Sequence, residues 1–382
     1  MRIALIIYDL GPGGAERVAS TLANNWAKSS DEITVVTIGV VEKDFYALDP
    51  RVRRIGLGLD QRSKGWREFI LNNIRRAHQL RRLARSGAYD ILLSFGDNTN
   101  VQLLLATRLL KIPVLVAEHN DPRKHFIGAI ATWLRRLLYR YARLVIVLTP
   151  DIGRWAREIA NENAVRVIPN PISEQFLKYD RSPNEGSTHA IVAMGRMVPQ
   201  KGFDYLLRAF ALCAGRHPTW TLRIFGEGPE HQNLCALAAK LGIESRVRFE
   251  PVTREPEKVM RESDLFVLSS RYEGFPMVLL EAMASGMPVI SFDCLSGPRE
   301  MIRNGIDGVL VPPEDVEALA SAMDRLMGNE EERLRLGTRA VEIDQRFGLA
   351  RVSAMWKKVF EELLIPELKN KRLSHLGRQE SD

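Results

Sequence analysis

Short apolar stretches alternate with longer amphipathic ones along most of the chain. In the first half, the apolar stretches cover residues 3–7, 33–38, 91–94, 114–117 and 144–148. In the second half, they cover residues 190–194, 221–225, 265–268, 289–291 and 309–311. Continuous apolar runs of this length are typical of parallel strands that are buried on both faces. The pattern predicts two α/β sheets in series, each covered by helices.

A proline- and glycine-containing stretch separates the two halves. Residues 168–188 begin with two prolines that flank Asn170 and end in a polar segment, as a domain linker does. We therefore assign residues 1–172 to a first domain and residues 173–348 to a second one. A chain of 382 residues exceeds the size at which single cores usually stop growing, which also favours two domains. Two doubly wound domains would direct the carboxyl ends of both sheets toward a shared cleft, where such sheets bind ligands.

The last helix-like stretch has Trp356 and Phe360 on its apolar side. We assign residues 349–367 to this helix, which either finishes the second domain or crosses back to the first. The tail after Glu367 has few apolar residues and is expected to fray.

The excess of positive charge lies entirely in the first half. Residues 1–172 carry 26 basic and 16 acidic side chains, whereas residues 173–382 carry 28 and 31. Such an asymmetry often marks a surface that meets phosphates, nucleic acid or an anionic membrane. The pI of about 9.4 comes with no aromatic-interleaved basic platform and no reader motif, so nucleic acid is not an expected partner.

The cysteines and the first residues indicate a cytoplasmic protein. Cys213, Cys235 and Cys294 lie far apart and form no C-x-x-C pair, which argues against a zinc site or a disulfide framework. Glycines interrupt the first apolar run too early for a signal peptide or a membrane span.

Two loops that follow predicted strands could hold a phosphate. The run GPGGAER comes after the first strand, where Gly13 and Gly14 would allow close backbone approach of an anion to a helix N-terminus. Its alternative is a tight turn that opens a helix. In the second half, GRMVPQKG places Arg196 and Lys201 on a loop before a helix, and these cations suit a diphosphate. Their alternative is two solvated surface charges.

The stretch EGFPMVLLEA places two carboxylates eight residues apart around an apolar run. Because Pro276 is expected to open a helix, Glu273 would lie on the preceding loop and Glu281 farther in. Carboxylates accept hydrogen bonds from sugar and ribose hydroxyls, and the N–H groups of Gly274 and Phe275 could lie near a phosphate. The alternative is a helix cap and an exposed glutamate, but an unpaired carboxylate in an apolar helix would be costly.

The order of these motifs resembles that of the family 4 retaining glycosyltransferases. GPGGAER, EHN, IPNPI, GRMVPQKG, FGEGPE and EGFPMVLLEA occur in the family's order over nearly the whole chain. The family has the α/β GT-B fold, in which two Rossmann-like doubly wound domains face a central cleft. It includes transferases for lipid-linked oligosaccharides, capsule and lipopolysaccharide. The resemblance implies a metal-independent hexosyltransferase, since the Asp-x-Asp triplet of the other large glycosyltransferase fold is absent.

The resemblance also implies roles for the candidate residues. Arg196 and Lys201 would hold the diphosphate of a nucleotide-sugar donor and stabilise its developing charge. Glu281 would hold the ribose and Glu273 the donor sugar.

Two residues of the first half also receive roles from the resemblance. Gly14 would approach the diphosphate or the acceptor, and His119 of the EHN turn would lie beside the reacting sugar. A lone histidine after a strand is otherwise more often structural. In the implied front-face displacement, the leaving diphosphate helps to deprotonate the acceptor hydroxyl.

Two basic amphipathic stretches suggest a membrane surface. Residues 122–150 contain six Arg or Lys and no acid, with apolar residues at helical spacing, and Trp66–Arg85 is similar. We expect peripheral docking on the anionic inner face of the cytoplasmic membrane, where a lipid-linked glycan acceptor would lie. The alternative is a pair of ordinary domain helices.

The motifs leave the sugar and two other activities open. The EHN and EGFPMVLLEAM variants look closest to transferases of N-acetylgalactosamine or related hexoses from uridine-diphosphate donors. Guanosine-diphosphate mannose is the main alternative donor. The alternative activities are a GT-B nucleotide-sugar epimerase and a non-catalytic nucleotide-sugar-binding protein.

Overall fold

A computed structural model describes residues 1–29, 31–61, 64–177 and 189–376. The strands of the first lobe are β1 (Arg2–Ile7), β2 (Glu32–Thr37), β3 (Arg53–Gly56), β4 (Ile91–Phe95), β5 (Val114–Glu118), β6 (Leu144–Val147) and β7 (Val165–Val167). Its helices are α1 (Gly14–Trp26), α2 (Trp66–Arg85), α3 (Asp97–Thr107), α4 (Ala129–Leu138) and α5 (Pro150–Ile159). The strands form one parallel sheet in the order β3-β2-β1-β4-β5-β6-β7.

The second lobe repeats this topology. Its strands are β8 (His189–Met194), β9 (Trp220–Phe225), β10 (Val247–Glu250), β11 (Leu265–Leu268), β12 (Val289–Phe292) and β13 (Val309–Val311). Its first helices are α6 (Phe203–Ala214), α7 (His231–Lys240), α8 (Pro256–Arg261), α9 (Met277–Ala284) and α10 (Pro298–Met301). The remaining helices are α11 (Val316–Gly328), α12 (Glu330–Ala340), α13 (Asp344–Phe347) and α14 (Leu349–Leu376). The parallel sheet has the order β10-β9-β8-β11-β12-β13.

Each sheet reverses its strand order once, and this reversal positions the candidate site. The reversal lies between β1 and β4 in the first lobe and between β8 and β11 in the second. Loops at the carboxyl ends of such strands border the crevice in which open α/β sheets bind ligands. The predicted α/β class with two doubly wound sheets is confirmed, and all ten predicted strands are present.

The three strands that the sequence did not predict all lie at sheet edges. They are β3, β7 and β10. Their charged residues are Arg53 and Arg54 in β3, Arg166 in β7, and Arg248 and Glu250 in β10. Edge strands often contain charges because one side of the backbone is left unpaired. A search for continuous apolar runs therefore misses them.

The two lobes share one hydrophobic cluster. It includes Leu5 of β1, Phe266 of β11, Met283 of α9 and Trp356 of α14. Separate clusters fill the outer layer of each lobe. The lobes are thus joined through apolar packing as well as through polar contacts at the cleft.

Helix α14 crosses back to the first lobe. Trp356 and Phe360 pack edge-on against Trp26 of α1, with ring centroids 5.6 and 5.2 Å away. Ser353 Oγ donates a hydrogen bond to Asn25 Oδ1 at 2.6 Å. This aromatic cluster gives the helix a reason to leave the second lobe, which the sequence had left open.

The structure corrects the ends of two predicted helices. Helix α14 continues to Leu376, past Glu367, because most of the intervening residues are Leu, Lys or Arg, which favour a helix, and the next glycine is Gly377. Within residues 122–150 the basic helix is only α4, since Gly128 precedes it with φ of 93°. Part of the predicted linker, residues 178–188, lies outside the described residues. Within the described part of the chain, every helix is too short or too polar to span a bilayer.

Replacing Trp356 with Ala is expected to lower the free energy of unfolding by about 3–5 kcal/mol, because a large buried ring is lost from the cluster on α1. Trp66→Ala is the matched control, since Trp66 is 70% exposed whereas Trp356 is 3% exposed. Chemical denaturation followed by circular dichroism measures both. Equal effects of the two substitutions would contradict the packing of α14 on the first lobe.

Candidate functional site

The lobes approach each other closely at two glycines. A Cβ on Gly274 would lie 2.7 Å from the carbonyl oxygen of His119 in the opposite lobe. A Cβ on Gly14 would lie 3.3 Å from Cγ of Met277. Gly13 is the N-cap of α1 and Gly14 its first residue, so the N-terminus of α1 faces the start of α9. These glycines allow the backbones of the two lobes to meet.

Hydrogen bonds hold the loop of Gly274 against both lobes. Thr149 Oγ1 of the first lobe lies 3.2 Å from Ser296 Oγ of the second. Ser296 Oγ also donates to the Gly274 carbonyl oxygen at 3.4 Å. Next to it, a Cβ on Gly297 would lie 2.7 Å from Pro276 Cδ. The loop between β11 and α9 is therefore fixed in position at the cleft.

Lys201 and Glu273 form an ion pair where the strand order of the second lobe reverses, between β8 and β11. Lys201 Nζ donates to Glu273 Oε1 at 2.7 Å, and Ser270 Oγ donates to the same oxygen at 2.6 Å. The two charged side chains are only 16% and 7% exposed. Gly202 makes this possible, because a Cβ there would lie 2.1 Å from the Ser269 carbonyl oxygen. The loops after β8 and β11 thus bring a cation and a carboxylate together.

Glu281 is buried in α9 and reaches the first lobe. Its Oε1 accepts a hydrogen bond from the Arg17 guanidinium of α1. Its Oε2 is shielded from solvent and has no hydrogen-bond partner among the described residues. Burial raises the pKa of Glu281, against the lowering effect of Arg17. The carboxylate is therefore half-satisfied, with one acceptor oxygen left free.

Arg196 is exposed at the rim of the cleft, on the loop after β8. It faces acidic and basic groups of the first lobe, since its charge lowers the pKa of both Glu16 and His125. Burial nonetheless raises the pKa of Glu16 to about 7. Arg196 therefore faces the first lobe, and the roles of the predicted residues toward a donor stay predictions.

Phe275 lies in the hydrophobic core. It is 6% exposed, and its ring packs edge-on against Phe347 at 5.4 Å between centroids. The side chain therefore anchors the loop, whereas the predicted role of the Gly274 and Phe275 N–H groups stays a prediction.

His119 lies in the EHN turn after β5, with both ring nitrogens shielded from solvent. Its centroid is 4.4 Å from that of Phe95, and neither ring nitrogen has a hydrogen-bond partner among the described residues. Burial lowers the pKa of His119 to about 4, so the imidazole is neutral near pH 7. Two unsatisfied ring nitrogens beside the cleft are available to a ligand.

A buried polar network holds the EHN turn from below. The Tyr139 hydroxyl donates to Glu118 Oε1, and Asn100 Nδ2 donates to the Tyr139 oxygen at 3.1 Å. Asn100 also donates to the Ala117 carbonyl oxygen at 3.0 Å. Burial raises the pKa of Glu118 to about 7. Because these bonds join α3, β5 and the turn after α4, they fix the backbone that carries His119.

The sequence analysis missed a second histidine in the cleft. His125 Nδ1 lies 2.6 Å from Asp97 Oδ2, and this contact raises the pKa of His125. Asp97 opens α3 directly after β4, and His125 follows β5. Their positions after two predicted strands were the available signal. Glu16 and Arg17 were also missed, although both lie in the quoted motif GPGGAER.

Two family models match the chain, one for each lobe. The model described as glycosyl transferase 4-like domain matches residues 13–171. The model described as glycosyl transferases group 1 matches residues 177–342. The predicted site residues lie within these two matches.

Curated relatives and solved structures agree with the family models. The chain is 33% identical to lipopolysaccharide 1,6-galactosyltransferase of Salmonella typhimurium over 347 residues, which is 86% of this chain and 90% of the relative. It is 26% identical over 371 residues to a Campylobacter jejuni N-acetyl-D-galactosaminyltransferase named for a PP-undecaprenol-linked glycan, covering 97% and 99%. The crystal structure of Anabaena HepE in complex with UDP superposes with a TM-score of 0.76 at 19% identity, covering 95% and 100%.

In a histidine NMR titration, His119 is expected to stay neutral until the pH approaches its lowered pKa of about 4. His125 is expected to titrate above its ordinary value, and Asp97→Asn to lower the pKa of His125 because the partner charge is removed. Asp204→Asn, which removes a partner of Arg271 in the second lobe, is the control and is expected to leave the pKa of His125 unchanged. A His125 pKa that does not respond to this substitution would contradict the pairing.

Proposed function

This chain belongs to the family of 4-like and group 1 glycosyltransferases with the GT-B fold, and we propose that it transfers a hexose or N-acetylhexosamine from a uridine-diphosphate donor to a lipid-linked glycan. Being a member of this family, it is a glycosyltransferase. The proposal adds the donor, the acceptor and retention of the anomeric configuration.

The ion pair between Lys201 and Glu273 is the observation that carries the donor assignment. The pair lies where the strand order of the second lobe reverses, and the neighbouring Gly274 contacts the EHN turn. On donor binding, the Lys201 ammonium would move to the diphosphate, leaving the Glu273 carboxylate to accept hydrogen bonds from sugar hydroxyls. The UDP complex of HepE supports a uridine nucleotide for a protein of this fold.

The proposed reaction is a displacement on the front face of the donor sugar. The bond between the anomeric carbon and the diphosphate oxygen breaks while the acceptor oxygen bonds to the same face. The acceptor proton passes to the leaving diphosphate, and Arg196 and Lys201 stabilise the charge that develops there. The neutral His119 imidazole would hydrogen-bond the reacting sugar. The absence of a catalytic metal stays a prediction.

The names of the relatives support a lipid-linked acceptor. One acts on lipopolysaccharide and the other on a glycan attached to PP-undecaprenol. We therefore propose that this chain extends a glycan in bacterial lipopolysaccharide, polysaccharide or glycoprotein glycan synthesis. N-acetylgalactosamine and related hexoses from uridine-diphosphate donors remain our preferred sugars, and guanosine-diphosphate mannose the alternative.

Exposed apolar side chains on the first lobe support docking on a membrane. Helix α2 exposes Trp66, Phe69, Ile70, Leu71 and Ile74, and the segment around α4 exposes Phe126, Ile130 and Trp133. Helix α3 contacts both α2 and α4, so these side chains belong to one side of the lobe. A hollow on the same helix α2 is lined by His78, Arg81, Arg82 and Arg85. Apolar insertion combined with arginines suits the inner leaflet of an anionic membrane.

Dependence on the acceptor separates this function from its two rivals. An epimerase would convert the nucleotide sugar without an acceptor, and a binding protein would release no product. The proposed transferase releases free nucleotide in step with glycan addition, which coupled detection of uridine diphosphate measures.

Glu273→Gln and Lys201→Met are each expected to lower kcat by about 100-fold or more. The first substitution removes a negative charge beside the donor sugar, and the second removes a positive charge beside the leaving diphosphate. Lys240→Met is the matched control, since Lys240 is exposed at the end of α7. Uridine-diphosphate release with a polyprenyl-diphosphate-linked glycan measures the rates. A Glu273→Gln variant within about twofold of the wild type would contradict the site.

The double variant Phe69→Ser/Ile74→Ser is expected to lose binding to phosphatidylglycerol vesicles at low salt, because two exposed apolar side chains are removed. Leu334→Ser is the control, since Leu334 is 49% exposed on the second lobe. Vesicle co-sedimentation measures binding. High salt is also expected to release the wild-type protein from the vesicles, because it screens the charges. Equal binding to neutral vesicles, or none to either, would count against the docking surface.

A further inference from the structure

A buried ion pair joins the two lobes at the place proposed for the donor ribose. Arg17 of α1 donates to Oε1 of Glu281 in α9, across 264 positions of sequence. The Arg17 side chain is 14% exposed and that of Glu281 is 1% exposed. Taking two charges out of water at this depth is costly unless their contact is well oriented.

Arg17 is itself fixed by aromatic neighbours. Its Nε donates to the Tyr46 hydroxyl at 3.3 Å. Its guanidinium carbon lies 5.3 Å from the Tyr46 ring centroid and 5.7 Å from that of Phe176. A planar fork bound to both a hydroxyl and a carboxylate has a defined orientation. The orientation of the Glu281 carboxyl is consequently determined by the first lobe.

The second carboxyl oxygen of Glu281 is available to accept a hydrogen bond from a ligand. Oε2 is buried and has no hydrogen-bond partner among the described residues. An unpaired buried acceptor is costly, and such atoms in folded proteins call for a donor. With Oε1 occupied by Arg17, the carboxylate presents a single, oriented acceptor oxygen.

We propose that Arg17 is a positioning residue for donor recognition, which holds Glu281 so that its free Oε2 accepts a hydrogen bond from a ribose hydroxyl of the nucleotide. The inference rests on the proposed function, because it takes the ribose to lie at Glu281. It adds a side chain of the first lobe to a ribose contact that is otherwise made by the second. Discrimination of ribose from deoxyribose therefore requires the two lobes to be together.

The physical reason is that Arg17 orients the buried carboxyl and favours its charged form. Burial favours the neutral carboxyl at Glu281, and Arg17 opposes this effect. A charged acceptor makes a stronger hydrogen bond to a hydroxyl than a neutral one does. Removing Arg17 would therefore weaken the ribose contact without touching the nucleotide.

Calorimetric binding of uridine diphosphate and of its 2′,3′-dideoxy analogue tests this inference. The wild type is expected to prefer the ribonucleotide by about tenfold or more, as for hydrogen bonds to a charged group. Arg17→Met is expected to bring this preference close to one while leaving affinity for the dideoxy analogue unchanged. Arg17→Lys keeps the charge but loses the planar fork, so an intermediate preference is expected.

A second contact between the lobes provides the matched control. Arg254 donates to the Phe45 carbonyl oxygen at 3.0 Å, and its guanidinium carbon lies 4.4 Å from the Phe45 ring centroid. Arg254→Met removes an arginine from the junction of the lobes without touching Glu281. It is expected to keep the wild-type preference, which separates positioning of Glu281 from general loosening of the lobes.

The outcomes distinguish this inference from the proposed function. Wild-type preference in Arg17→Met overturns the role of Arg17, and if that variant does not fold, wild-type preference in Arg17→Lys does the same. Glu281→Gln with an undiminished preference overturns the placement of the ribose at Glu281, and so does a wild type that fails to discriminate. Loss of preference in Arg254→Met as well would also overturn the inference, because the effect would then not be specific to Arg17.

Discussion

The close contact between the lobes at the floor of the cleft determines how the rest of the site is arranged. Gly274 meets the backbone of His119, and Gly14 meets Met277, at distances that leave little or no room for another side chain. Because the loops after β5 and β11 touch there, groups from both sheets face one small volume. The ligand-binding edges of two doubly wound sheets become a single site in this way.

Some charged and polar groups at this contact have hydrogen-bond partners within the protein and others do not, and this difference indicates where a ligand would bind. Lys201 and Glu273 satisfy each other. In the part of the chain that the structure describes, Glu281 Oε2 and both ring nitrogens of His119 have no hydrogen-bond partner. Folded proteins seldom leave buried polar atoms without partners unless a ligand supplies them. The unsatisfied atoms lie on both lobes, which fits a donor bound between them.

The sequence predicted the buried parts of the fold well and its edges poorly. Ten strands were apparent as apolar runs because parallel strands are covered on both faces. The edge strand β3 contains Arg53 and Arg54 and gave no such signal. The return of α14 to the first lobe depends on Trp26 meeting Trp356, a contact that no local pattern contains.

The same distinction applies to the candidate site. Glu273 and Glu281 were identifiable because their spacing is local, and Lys201 because it follows a strand. The partners of these residues were not identifiable, since Arg17 lies 264 positions from Glu281 and Asp97 lies 28 positions from His125. Pairing over such separations is decided by the packing of the lobes, so it emerges only with the tertiary structure.

A crystal structure of the chain with uridine diphosphate tests the central claim most directly. The account predicts the nucleotide in the gap beside Gly274 and His119, with its diphosphate at Arg196 and Lys201 and a ribose hydroxyl on Glu281 Oε2. A nucleotide bound outside this gap, or with its ribose away from Glu281, would contradict the account.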